Sequence, residues 1–381
     1  MTHRIMSYLN SAFLIAVFSS HSIAAESGSD ARQPLIEQAA VLDEAALNDQ
    51  RARGESESPP QDEIILTDTN NILTPRRSFV VEPTFSYTNS SSTQVAIEGF
   101  TVIPAIVIGL INVSQVQRDT FTAAMNLRYG LTDRLEFGIK IPYVYREVSV
   151  RQREALKGTP VDSITNTSGS GLGDVEASIN YQFRPSLAAP SYWVTNVQIK
   201  SDTGTDPFEL QWLTMEQEGD DETGGGQPDG DGGITGKVLA EQPTGSGFWS
   251  VQPGVSYIFQ ADPVVLYGSL SYLWNEERNI EAFGGVVDPG NAISAGFGVG
   301  VAFNSDMSFS LGYSHSTVKQ TRFENDSIGL EPSFSRFQVG SLRLGFSRRL
   351  NPDTDFKLSL GIGLTDAAPD LQLGFSIPYT P

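Results

Sequence analysis

Apolar and polar side chains alternate along the stretch Phe121–Tyr145, which forms two arms around a short turn. Its apolar face carries Phe121, Ala123, Met125, Leu127, Tyr129 and Leu131 in the first arm, then Leu135, Phe137, Ile139, Ile141, Tyr143 and Tyr145 in the second. Successive side chains of a strand point to opposite faces, so this period of two predicts a β-hairpin with one apolar face. Each arm has the length of a transmembrane strand, roughly 9–11 residues, with tyrosines near the ends as in interfacial aromatic girdles.

The same alternation recurs along the chain and predicts about twelve strands. They fall at residues 79–87, 121–131, 135–145, 175–183, 193–199, 249–259, 264–274, 293–303, 307–313, 342–346, 356–364 and 371–379. An even number of antiparallel strands is typical of single-chain bacterial barrels. We therefore predict an all-β fold, an about twelve-stranded antiparallel transmembrane β-barrel, preceded by a short N-terminal region that is helical or disordered and lies in the periplasm.

The predicted connections alternate in length, which is a second argument for a barrel. Short turns follow the even-numbered strands, while the odd-numbered ones lead into longer loops around residues 89–119, 148–169, 201–245, 275–290 and 317–335. Outer-membrane barrels have short periplasmic turns and long external loops. The connection around 366–369 is short and breaks this pattern. A secreted β-sandwich is the alternative, but it would not sort its loops in this way.

The N-terminal quarter of the chain differs in composition from the rest. Residues 1–25 have a basic residue, a short apolar run and small residues, as a secretory signal peptide does. Residues 26–60 form an acidic tail in which Leu35, Ala39, Leu42 and Ala46 make an apolar stripe of two heptads. This stripe predicts a short amphipathic helix or a disordered segment, with a coiled coil as the alternative, since a coiled coil usually needs three or four heptads. Residues 61–77 are a linker, and the barrel spans 78–381. An exported chain rich in strands points to the bacterial outer membrane.

The net charge of −20 is concentrated in a few segments, and the chain has no cysteine. Between Asp202 and Pro243 there are eleven acidic residues and one basic residue. A nucleic-acid partner would require a basic patch, so none is expected. In a barrel the polar face lines the lumen, and about twelve strands predict a narrow channel that can be gated. The candidate lumen residues are Glu82, Asn126, Arg128, Glu136, Lys140, Arg146, Glu176, Gln198, Lys200, Arg343 and Lys357.

Catalytic and ligand-binding motifs are weak in this sequence. A barrel phospholipase needs a serine beside a histidine base, and after the signal peptide the chain has only His315, which alternation places on the outer face. The glycines of Gly169–Asp174 precede a strand rather than a helix, so they do not predict a phosphate-binding loop. The stretch Gly224–Gly233 lacks the glutamate that completes a calcium loop. We expect no cofactor, no metal site and no enzymatic activity.

Several short motifs resemble one family of outer-membrane proteins. They are Leu73-Thr74-Pro75-Arg76, Phe79–Pro83, Arg118–Thr122, Arg128–Arg134, Pro142–Arg146, Gly171–Asp174, Thr244–Trp249, Asp262-Pro263 and Gly268–Tyr272. Together they resemble the channels grouped with the MetA pathway of phenol degradation, which include the functional-amyloid (Fap) secretion channel, over roughly residues 73–381.

The resemblance implies a twelve-stranded pore, a periplasmic region that can form a homotrimer, and a segment before the first strand that plugs the lumen. That plug maps to Ile64–Arg77, with Ile64, Ile65, Leu66, Arg76 and Arg77 as candidate gate residues. The heptad stretch is short for a trimer, and residues 209–241 are an insertion relative to the family.

Three functions follow from these observations. The first is an outer-membrane channel, with membrane lipid around it, that exports an unfolded amyloid-forming polypeptide for the biofilm matrix. The alternative is an uptake channel for hydrophobic or aromatic small molecules. The third is an outer-membrane enzyme that modifies lipids, which would depend on His315.

Overall fold

The structure of the chain is a computed structural model that describes residues 73–103, 106–154, 162–183, 190–215, 236–280, 285–319, 321–325 and 336–381. The predicted signal peptide, the acidic tail and most of the linker lie outside these residues. So do the stretch 224–233 and the gate candidates Ile64, Ile65 and Leu66. In the described part of the chain, no helix has both the length and the apolar character needed to cross a membrane.

Strands account for most of the described residues. In chain order they are β1 (Phe79–Ile103), β2 (Ile106–Thr132), β3 (Leu135–Glu154), β4 (Asp162–Leu172), β5 (Glu176–Phe183), β6 (Ser191–Lys200), β7 (Trp212–Met215), β8 (Gly236–Leu239), β9 (Ser250–Ala261), β10 (Val264–Asn275), β11 (Arg278–Ile280), β12 (Gly285–Asp288), β13 (Ala292–Ala302), β14 (Met307–Val318), β15 (Arg322–Asn325), β16 (Phe337–Asn351), β17 (Thr354–Gly363) and β18 (Leu371–Ser376).

One antiparallel sheet closes on itself and forms the barrel. Each wall strand pairs with the next wall strand along the chain, and β1 pairs with both β2 and β18, which joins the two ends of the sheet. Strands β4 and β5 pair with successive parts of β3 and together occupy one position in the wall. The wall therefore has twelve strand positions, and the predicted fold class is confirmed. A closed barrel has no edge strand with unpaired backbone N–H and C=O groups, whereas the sheets of a sandwich do have such edges.

The outer face of the barrel is apolar, as the alternation predicts. Phe121 and Phe297 are 49% and 64% exposed, although residues of this type are usually buried in a water-soluble protein. Aromatic rings contact one another across neighbouring strands, for example Phe85 with Phe375 at 5.0 Å between ring centroids. A face of this kind is stable against lipid hydrocarbon and would be unfavourable in water.

The two ends of the barrel differ. We call the turn end the one where short connections join β2 to β3, β9 to β10, β13 to β14 and β16 to β17. At the other end, the loop end, β1 and β2 stay paired well beyond the wall, from Ser90–Arg118 up to Ile103–Ile106.

This extension corrects two predicted loops, 89–119 and 148–169, which are largely strand. Strands β2, β3 and β4 continue their pairing in the same way. Asn89–Ser92 is composed of turn-forming residues, and the apolar residues that follow do not alternate, so the sequence pattern predicts a loop where β1 continues. Two smaller sheets, β7–β8 and β11–β12–β15, are formed by the other long connections.

Candidate transport lumen

The inside of the barrel holds a cavity of about 800 Å³. Residues of β1, β2, β3, β5, β6, β9, β10, β16, β17 and β18 line it. All eleven candidate lumen residues are among its lining: Glu82, Asn126, Arg128, Glu136, Lys140, Arg146, Glu176, Gln198, Lys200, Arg343 and Lys357. Alternation placed them on one face, and closure of the sheet then turns that face towards a shared space.

Oppositely charged lumen residues are paired across neighbouring strands. Glu82 on β1 accepts a hydrogen bond from Arg128 Nη2 at 2.8 Å and another from Ser376 Oγ at 2.6 Å. Lys357 Nζ lies 3.8 Å from the same carboxylate. These partners belong to β2, β18 and β17, so the Glu82 cluster joins the first and last strands of the barrel. Removing this carboxylate would leave two cations facing each other.

A second group of charges follows β3, β5 and β6. Lys140 Nζ lies 3.1 Å from Glu176 Oε1, and the other oxygen of Glu176 accepts a hydrogen bond from the Gln198 amide. Lys200 Nζ lies 3.6 Å from Asp174 Oδ2. These paired charges line the lumen without giving it a strong field of one sign.

The segment Leu73–Pro75 forms the floor of the cavity at the turn end. The backbone N–H of Thr74 donates to Glu136 Oε2 on β3 at 2.7 Å, and both residues are buried. Leu73 packs against Val194 on β6 and Ile258 on β9, which lie two and three wall positions beyond β3. The segment therefore runs inside the barrel from Gly130 on β2, past β3, to β6 and β9, and its apolar end lies in an apolar cluster.

The gate candidates Arg76 and Arg77 are exposed at the end of this segment. Arg77 has a positive φ of 63°, and its N–H donates to the Gly130 carbonyl at 2.7 Å. This turn directs the chain from the lumen into β1. The residues that enter the cavity are Leu73 and Thr74, which the sequence argument did not select as gate residues. The one available sign was that they precede a proline, which favours an extended backbone.

Gly130 makes room for the floor segment. A Cβ atom at this position would overlap the carbonyl oxygens of Thr74 and Pro75. We expect Gly130→Val to displace the segment and to raise the conductance of the protein in a planar lipid bilayer. The matched control is Gly300→Val, because a Cβ at that inward-facing glycine lies 3.9 Å from its nearest neighbours. Equal conductance of the two variants would contradict the assignment of the floor.

His315 lies on the outer face of β14, near the loop end. Its Nδ1 faces the hydroxyl of Tyr313 at 3.1 Å. The neighbouring Ser314 and Ser316 point to the other side of the wall, where they bond Ser341 and Ser294. The two serines next to the histidine in sequence are thus separated from it by the sheet.

Comparison with known proteins places the chain in a family. It is similar to an outer-membrane channel from Pseudomonas putida F1, with 14% identity, a TM-score of 0.50, and coverage of 85% of this chain and all of that one. It also matches the toluene transporter TbuX of Ralstonia pickettii, with 9% identity, a TM-score of 0.37 and coverage of 82% and 92%. Residues 110–380 match the family described as "Putative MetA-pathway of phenol degradation". Since that match spans more than half of the sequence, the chain belongs to the MetA-pathway family of β-barrel proteins.

Proposed function

We propose that the protein is an outer-membrane channel for the uptake of small hydrophobic or aromatic molecules. The observation that carries this proposal is the lumen cavity of about 800 Å³, which the apolar side chain of Leu73 closes at the turn end. Binding sites for small molecules typically measure about 300–1,000 Å³ and combine apolar walls with a few polar groups. The family description names phenol degradation, and phenol is a neutral aromatic molecule of this class.

The lining of the cavity suits a ring that carries one polar group. Leu73, Val80, Val144 and Val194 provide apolar contacts, while serine, threonine, asparagine and glutamine side chains provide hydrogen-bond partners. Many of the charged lining residues are held in the ion pairs described above, namely Glu82, Arg128, Lys140, Asp174, Glu176, Lys200 and Lys357. A neutral solute can therefore pass without separating an ion pair, whereas an ion would have to compete with one.

The orientation of the channel is part of the proposal. Short turns face the periplasm in outer-membrane barrels of known orientation. The turn end would then be periplasmic, and so would the N-terminal region. The floor segment Leu73–Pro75 would act as a plug on the periplasmic side, and Arg76 and Arg77 would lie at its rim. The eleven charged and polar lumen residues would form the wall along which the solute moves.

Export of an amyloid-forming polypeptide was the first function expected from the sequence, and the comparisons favour the uptake alternative instead. The family is named for phenol degradation, a description that contains nothing specific to amyloid export. The trimer also gains no support, and the heptad stretch lies outside the described residues. A non-enzymatic role accords with the similarity to the channel from Pseudomonas putida F1.

Uptake by cells tests the proposal. Bacteria that carry the protein in the outer membrane should accumulate radiolabelled phenol faster than cells without it. Ala124→Trp should lower this rate, because Ala124 lines the cavity away from the floor contacts and the larger side chain fills part of the space. Met125→Trp is the matched control, since Met125 is on the outer face of the same strand and is 41% exposed.

Equal phenol uptake with and without the protein would overturn the proposal. A deletion strain stained with Congo red provides the comparison with export. Loss of amyloid staining together with unchanged phenol uptake would support the export function.

A further inference from the structure

Two of the sequence motifs that have no role so far meet at the loop end of the lumen. Gly169, Gly171 and Gly173 occupy alternate positions at the end of β4 and face inward. The segment Gln242–Ser246, which we call the strap, lies directly on them. A Cβ at Gly169 would overlap the carbonyl oxygen of Gln242, and one at Gly171 would lie 3.5 Å from the side chain of Thr244. Because these glycines have no side chains, the strap can lie directly against their backbone inside the barrel.

Asp174 holds the strap at the point where the wall strand is interrupted between β4 and β5. Its Oδ2 accepts hydrogen bonds from the backbone N–H and the hydroxyl of Ser246, at 2.9 and 2.7 Å. Its Oδ1 accepts the N–H of Gly204 at 3.0 Å. Lys200 lies 3.6 Å away and also donates to the Ser246 hydroxyl at 2.8 Å. Asp174 is only 5% exposed, so its charge is compensated entirely within this cluster.

Further hydrogen bonds attach the strap along its length. Arg146 Nη1 donates to the Pro243 carbonyl at 3.0 Å. The Thr244 hydroxyl donates to the Leu172 carbonyl at 2.8 Å and accepts the N–H of Thr205 at 2.9 Å. Thr244, Arg146 and Asp174 all line the lumen cavity. The strap is therefore part of the channel wall at the end opposite to Leu73.

We propose that the strap is the constriction that sets the size limit for solutes at the loop end, and that Asp174 is its positioning residue. The inference rests on the proposed function for the direction of traffic. The size limit itself is independent of which solute is carried. A charge-assisted hydrogen bond contributes more than a neutral one, and Asp174 accepts three hydrogen bonds beside a lysine. Without the charge of Asp174, the strap loses its strongest attachment and moves away from the three glycines more often.

The first test is the variant Asp174→Asn, studied in planar bilayers. The amide keeps the shape of the side chain but loses the charge and one acceptor oxygen. We expect the population of the displaced strap to rise roughly tenfold for each charge-assisted hydrogen bond lost. Conductance should increase, and polyethylene glycols added at the loop end should enter at larger sizes than in the original protein. Polymers added at the turn end should give an unchanged limit.

The matched control is Asp370→Asn, which removes a carboxylate at the same end of the barrel. Asp370 is exposed, accepts a hydrogen bond from Ser91 and is not part of the cavity lining. Its replacement should leave the conductance and the size limit unchanged. An unchanged limit for Asp174→Asn on the loop side would overturn the proposal.

A reversible crosslink separates positioning from misfolding. The chain has no cysteine, so Gly171→Cys with Thr244→Cys introduces a single pair, at positions close enough for a disulfide. In the Asp174→Asn background, oxidation should restore the original size limit and reduction should abolish it again. A polymer size limit that stays the same after oxidation and reduction would contradict the proposal. Failure of phenol uptake alone would affect the proposed function and leave this result intact.

Discussion

Deleting residues 61–75 is expected to convert the closed barrel into an open pore with a conductance several-fold higher. Leu73 and Thr74 close the turn end through contacts with Val194, Ile258 and Glu136. None of the described strands depends on these residues for its pairing, because β1 begins at Phe79 and its ladder lies entirely after the deletion. Single-channel recording in a planar bilayer measures the effect directly.

Two controls accompany the deletion. Removing residues 26–60 shortens the chain by more residues but leaves the floor segment in place, so its conductance should stay at the original value. Leu73→Ser keeps the segment and removes its apolar anchor, and we expect an intermediate conductance with frequent openings. If the 61–75 deletion conducts no more than the full chain, Leu73–Pro75 does not close the lumen.

Replacing Glu82 with alanine should destabilise the barrel more than removing any other carboxylate that lines the lumen. Arg128 and Lys357 would lose their shared carboxylate at the junction of β1 with β18. Breaking a buried ion pair on one side costs about 3–5 kcal/mol. The cavity admits water and Arg128 is 31% exposed, so we expect a loss of about 2 kcal/mol in the free energy of unfolding.

Denaturant unfolding of the protein in lipid vesicles, followed by tryptophan fluorescence, measures this loss. Asp355→Ala is the control, since its ion pair with Arg349, at 3.7 Å, is longer than the 2.8 Å contact of Glu82 with Arg128 and lies beside the turn that joins β16 to β17. That pair should contribute at most about 1 kcal/mol. The double variant Glu82→Ala with Lys357→Ala should recover part of the loss, because one uncompensated cation is removed. Equal losses for Glu82 and Asp355 would contradict the cluster.

The inward position of Lys140 and Glu176 followed from alternation, because a period of two is a local property of the backbone. The pairing of Glu82 with Lys357 did not follow, since it requires β1 to meet the C-terminal strands. The β1–β2 extension was missed because residues that form turns elsewhere continue a ladder here. The pairing of β1 with β2, rather than the composition of either segment, determines the strand conformation of this extension.

The sequence by itself determined the twelve wall strands, the face of the wall on which their residues lie and the positions of the short turns. These properties depend on neighbours within a few positions, and the requirement to meet lipid on one side makes the alternation strict. Only the tertiary structure decided that Leu73 packs against Ile258 inside the barrel and that Asp174 holds Ser246, 72 positions away. Such contacts arise when closure of the sheet brings distant segments into one narrow space. No local pattern carries that information.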